Sequence, residues 1–177
     1  MKKEHVISFA IIIAVVFFMA AFRVAVHPCK IPTNAMAPAL RIGDSIFIDT
    51  VTYKFQEPRR GDVILFSYPL NPKVDMLKRI IGMPKEQLRI DSGNIFIDGK
   101  LMDTVQIPRS RIYLNKEEWE FGKKGQAIQI PADSYFVLGD HSAYSADSRQ
   151  WGFVKKKNVI GKAFYIFSPS ERRGKIS

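Results

Sequence analysis

The chain has 177 residues, 46% of them hydrophobic and 25% charged, which is ample for one domain with a sizeable core and excludes a disordered or low-complexity chain. Its one cysteine, Cys29, excludes an intramolecular disulfide. His5, His27 and His141 stand at no metal-ligand spacing, so no metal or other cofactor is expected.

The first five residues, Met-Lys-Lys-Glu-His, precede a charge-free run over 6–22, which Val24, Ala25 and Val26 extend past Arg23. That length suits one membrane span over 6–26, with Lys2 and Lys3 holding residues 1–5 in the cytoplasm and the rest of the chain across the bilayer. A cleaved signal peptide competes, since Ala20, Ala21 and Ala25 are small, but the apolar run is long for one. The formal charge is +10; Lys2, Lys3 and Arg23 against Glu4 place +2 in residues 1–23 and +8 in the remainder. Beside a bilayer, that excess attracts anionic lipid head groups. No nucleic-acid partner is expected, because no aromatics interleave with Lys155, Lys156 and Lys157 and no binding motif accompanies them.

Residues 31–44 contain Pro32 and Pro38, which remove backbone donors and fix φ, so this stretch reads as a shaped loop. Beyond it the periodicity becomes two. Stretches 45–51, 62–68, 76–81, 87–91 and 94–97 are rich in β-branched and aromatic residues, and Ser92-Gly93 and Asp98-Gly99 supply tight hairpin turns. Residues 104–126 lack a clear period and read as an excursion from the main sheet; 126–130, 134–138 and 159–167 return to strand character, and 171–175 read as a basic tail. The expected fold is mainly β, an antiparallel sandwich or barrel behind one N-terminal transmembrane helix.

The strand over 76–81 carries an anomaly. Met76, Lys78 and Ile80 share one face and Leu77, Arg79 and Ile81 the other, so each apolar face holds one cation. A lysine stripped of water loses preference for its charged form and becomes available as a general base, whereas an arginine stays charged.

Four segments follow one another in order: Ile31-Pro32-Thr33-Asn34-Ala35-Met36-Ala37-Pro38-Ala39-Leu40 leading to Gly43-Asp44; Arg60-Gly61-Asp62-Val63-Ile64-Leu65-Phe66; Lys78-Arg79-Ile80-Ile81-Gly82-Met83-Pro84; and Gly139-Asp140-His141-Ser142-Ala143-Tyr144-Ser145-Ala146-Asp147-Ser148-Arg149. Together they resemble the boxes of the bacterial type I signal peptidases, membrane-bound serine proteases with a Ser/Lys dyad, over nearly the whole chain. The resemblance implies a signal-peptidase-like antiparallel β domain over 27–177 on the extracytoplasmic face of the cytoplasmic membrane, with secretory precursor proteins as partners. It implies Lys78 as general base, Ser145 as the hydroxyl that orients its amine, Thr33 as an oxyanion donor, and Asp147 and Arg149 as a structural pair bracing the site. Met36 and Leu40, on the first box, are expected to meet substrate or the bilayer edge.

His141 and Ser142 replace the family's usual Asn and Arg. The larger departure is Ala35, which occupies the position of the nucleophilic serine and has no atom that can attack a carbonyl. Loss of such a nucleophile costs on the order of a millionfold in kcat. Three origins fit it: a deliberate replacement that traps an uncleaved substrate, a natural lineage with alanine here, or a non-enzymatic homologue that binds exported proteins or assists their assembly.

Overall fold

The computed structural model describes residues 8, 9, 11–16, 25–102 and 112–176. Residues 8, 9 and 11–16 are helical, and among the described residues no helix is long and apolar enough to cross a membrane. The expected span over 6–26 falls partly outside the described residues, as do positions 103–111 of the excursion.

Strand pairing dominates the rest, as the period-two stretches require. One sheet has the order β1 (Val26–Lys30), β2 (Ser45–Asp49), β11 (Val159–Ser168), β3 (Val63–Ser67), β4 (Asp75–Gly82), β9 (Ser134–Leu138), β10 (Val154–Lys155), with β12 (Gly174–Lys175) added to β11. The second has the order β7 (Lys100–Leu101), β6 (Asn94–Ile97), β5 (Gln87–Asp91), β8 (Ala127–Gln129), and all recorded pairings are antiparallel. The turns fall where the sequence places them: Ser92 and Gly93 have φ of 50° and 82°, and Asp98 and Gly99 have 49° and 78°, the two successive positive values of a tight hairpin turn.

Apolar residues are gathered in three clusters. Ile81, Leu88, Ile90, Ile128 and Phe136 join the two sheets; Ile31, Met36, Leu40, Ile46 and Ile48 pack under the loop after β1; Ile64, Phe66, Ile80 and Val137 fill the far side. Each such buried side chain contributes about 1.5–3 kcal/mol. The excursion is not detached from this framework: Tyr113 is 2% exposed within the first cluster, and Asn115 Nδ2 donates to the carbonyls of Ile90 and Gly122.

Two expectations need correction. Met36 and Leu40 are 3% and 0% exposed, so the first box turns them into the core and offers neither to a bilayer edge. The 171–175 stretch, expected as a basic tail, instead folds back on the domain. Ser170–Arg172 forms a 3-10 turn whose Arg172 reaches back to Asp44, and β12 pairs with β11.

Candidate active site

The loop over 31–44 is closed at its neck by two backbone bonds, Ile31 N–H to the Asp44 carbonyl at 2.8 Å and Gly43 N–H to the Ile31 carbonyl at 3.0 Å. Met36 and Leu40 anchor it from below. Ala35, 7% exposed, turns its carbonyl to the His141 N–H at 3.0 Å, which joins this loop to the segment after β9. Gly139 makes that join close: a Cβ there would lie 2.6 Å from the Ala35 carbonyl oxygen and would strike the Ser145 side chain.

Lys78 and Arg79 of β4 separate as the pleat demands. Arg79, 1% exposed, donates from Nε and Nη2 to the two carboxylate oxygens of Asp140 at 2.8 and 2.7 Å, and from Nη1 to the Gly61 carbonyl. Lys78, 4% exposed, donates instead to the Leu77 carbonyl at 3.2 Å. Burial pulls the Lys78 pKa below the ordinary lysine range, against the opposing pull of Asp147 and Asp140.

Ser145, expected to orient the Lys78 amine, is 4% exposed and its Oγ has no partner among the described residues. Among the described residues the Lys78 amine and the Ser145 hydroxyl share no hydrogen bond, and Ala35 presents only a methyl group, which can neither donate nor accept. Thr33 is exposed and lines, with Met36, Leu77 and Lys78, a groove of about 530 Å³ that runs past Pro28 and Cys29 of β1.

Behind these residues, Asp147 and Arg149 form a pair with both side chains at 0% exposure, bonded Nε to Oδ1 and Nη2 to Oδ2, each at 2.8 Å. Asp147 also accepts from the Gly139 N–H at 3.0 Å and from the Arg149 N–H, opening the short helix α1 (Ser148–Trp151). Arg149 goes on to the Leu114 carbonyl and to both oxygens of Ser142. Ser142 thus acts within the brace, and His141 contributes its backbone N–H while its ring meets that of Tyr144 at a tilt, centroids 4.6 Å apart.

Sequence reasoning missed Gly139, Asp140 and Arg172 as parts of this arrangement and left open what Ser142 contributes to the brace. Gly139 and Asp140 lie inside the last box, just before His141; Arg172 lies outside every box and carried no signal.

The family profile described as "Signal peptidase, peptidase S26" matches residues 2–168. The chain belongs to the signal peptidase family. A probable signal peptidase I-2 of Synechocystis sp. is 34% identical over 152 residues, covering 83% of this chain and 65% of that protein, just under two thirds of its length. A signal peptidase I of Leptolyngbya laminosa is 33% identical over 82% of this chain and 70% of its own, and one of Aquifex aeolicus is 30% identical over 94% and 84%. A signal peptidase I of Enterococcus faecalis, known from a crystal structure, is 30% identical and superposes with a TM-score of 0.48 over 60% of this chain and 97% of that one.

Proposed function

We propose that this chain carries the precursor-binding groove and the general base of a signal-peptide-cleaving serine endopeptidase, and that Ala35 leaves it holding precursors without cutting them. The observation that carries this reading is Lys78: a nearly dry amine at the wall of a groove, in the chain region where the family boxes converge.

The groove suits an extended peptide. β4 pairs with β3 from Asp75 onward but with β9 only from Arg79, so the 75–78 edge is open, and β1 is the last strand at its end of the sheet order. A precursor segment adding beside these edges would bond main chain to main chain, with small side chains one and three positions before the cut.

A hydroxyl at position 35 attacks the scissile carbonyl carbon, and neutral Lys78 takes its proton. Thr33 and a backbone amide hold the oxyanion. Collapse breaks the C–N bond, the lysine returns the proton to the leaving amine, and water then releases the acyl group. Ser145 would orient the Lys78 amine, and the Asp147–Arg149 pair would hold the last box in place. With Ala35 the first bond cannot form.

The single span over 6–26 and the extracytoplasmic placement of 27–177 belong to the same proposal. Supporting it, Phe9, Ile11, Ile12, Ile13, Val15 and Val16 are apolar, helical and more than half exposed. The reading is tested by incubating the full chain in liposomes with a signal-peptide-bearing precursor. Co-isolation of intact precursor is expected. Cleavage by the unaltered chain contradicts the role given to Ala35, and no association contradicts the groove.

A further inference from the structure

The carboxylate of Asp44, at the exit of the 31–44 loop, is 2% exposed and receives three donors. One is local, the Arg41 N–H at 2.8 Å. The other two come from 128 residues away: Arg172 Nε to Oδ1 at 2.8 Å and Arg172 Nη2 to Oδ2 at 2.9 Å, a two-pronged contact. Arg172 Nη2 also reaches the carbonyls of Ala39 at 3.0 Å and Pro38 at 3.4 Å. One guanidinium therefore grips the loop at three positions, 38, 39 and 44, all on the C-terminal side of residue 35.

Residue 35 is itself held by the His141 N–H on its carbonyl. Between the two attachments lies a short run containing Met36, whose side chain is buried, and a peptide that must keep residue 35 facing Lys78 for any attack to occur. Arg172 is absent from the groove lining, so its effect on chemistry would pass through the loop alone.

We propose that Arg172 is a positioning residue for the nucleophile loop, fixing position 35 from the C-terminal turn by its fork on Asp44 and the loop carbonyls. A lysine cannot replace it. Its ammonium is a point charge, and the grip uses the planar separation of two nitrogens on one carboxylate together with carbonyls alongside. This inference rests on the reading that the chain is a signal peptidase lacking its hydroxyl, so its experiment has one arm that needs no activity.

In the first arm, Arg172→Ala and Arg172→Lys are made in the Ala35→Ser chain and compared on a precursor. The expected result is a kcat lower by about a hundredfold, the cost of a misplacement of roughly 1 Å, with KM little changed and no rescue by Arg172→Lys. Arg173→Ala removes a side chain whose Nε donates to the Phe167 carbonyl, away from the loop; it is the control and is expected to cut normally. A kcat unaffected by Arg172→Ala, or a loss that vanishes when each variant is assayed well below its own melting temperature, overturns the proposal.

In the second arm, the full chain carrying Cys29→Ser and Ala35→Cys is alkylated with a small thiol reagent, with and without Arg172→Ala. Loss of the grip is expected to raise the labelling rate of the thiol at position 35 several-fold, because the parent position is 7% exposed and would be released. Equal rates overturn the proposal even where no precursor is cut. If the Ala35→Ser chain cuts nothing while labelling responds to Arg172, the peptidase reading fails and the positioning inference stands.

Discussion

Lys78 and Arg79 are consecutive in β4 and buried to 4% and 1% exposure, but Arg79 is locked to the Asp140 carboxylate while Lys78, among the described residues, donates only to a backbone carbonyl. One strand thus keeps two cations out of water by opposite means. For Arg79 the charge is matched; for Lys78 it is discouraged.

The stability consequence has a definite sign. Burial pulls the folded Lys78 pKa below its unfolded value, so the unfolded chain binds the proton more tightly and stability rises with pH across the interval between the two. Lys78→Met removes this burden at neutral pH. The expected outcome in urea denaturation is a gain in stability at neutral pH and a shallower rise of stability as the pH climbs toward the unfolded lysine value. A clear loss of stability would show that the buried amine is paired after all.

The same shift governs rate. Cleavage by the Ala35→Ser chain is expected to rise with pH along a limb whose midpoint lies below the ordinary lysine value of about 10.4. Lys78→Arg in that chain is expected to remove at least about a hundredfold of the rate, since a guanidinium cannot surrender its proton. A pH–rate profile that stays flat to the ordinary lysine value contradicts Lys78 as the base.

Arg149 is tied to Asp147, Ser142 and Leu114, and both members of its ion pair are fully buried. Arg149→Ala strands the Asp147 carboxylate in the interior, with an expected loss of about 3–5 kcal/mol in chemical denaturation. Arg149→Lys is expected to recover little of it, because one ammonium cannot make the same set of bonds. A change within experimental error of zero contradicts the bracing role.

Leu40 is completely buried under the loop, so Leu40→Ala is expected to lower stability by about 2–5 kcal/mol. Leu40→Asp is expected to prevent folding of the loop region. Weakened lipid binding by a fully stable Leu40→Asp chain would restore a bilayer contact for this side chain.

Much of the fold was legible because the signals are local. The strands at Gln87–Asp91, Asn94–Ile97 and Ser134–Leu138 occupy the positions their alternation and turns assign. The two-residue strands β7, β10 and β12 were not read, since two residues hold no period. β1 was hidden by Val26, an apolar residue that sequence assigns to the preceding run and the structure gives to the sheet. Pattern could mark Lys78 and Arg79 as unusual, but which of them meets a carboxylate depends on Asp140, 61 residues from Arg79. Arg172 sits in a stretch whose sequence shows only a basic tail; its partner Asp44 is 128 residues away and no period connects them. The complete burial of Leu40 carries no sequence signal for a related reason, as a proline-shaped loop offers no face to count.

The most direct test of the central claim is cleavage of one signal-peptide-bearing precursor by the unaltered chain and by Ala35→Ser, side by side in liposomes, with product termini read by mass spectrometry. The expected result is a single cut after the signal peptide by the Ala35→Ser chain, lost again on adding Lys78→Met, and none by the unaltered chain. Equal cleavage by both would show that position 35 is not where the nucleophile belongs.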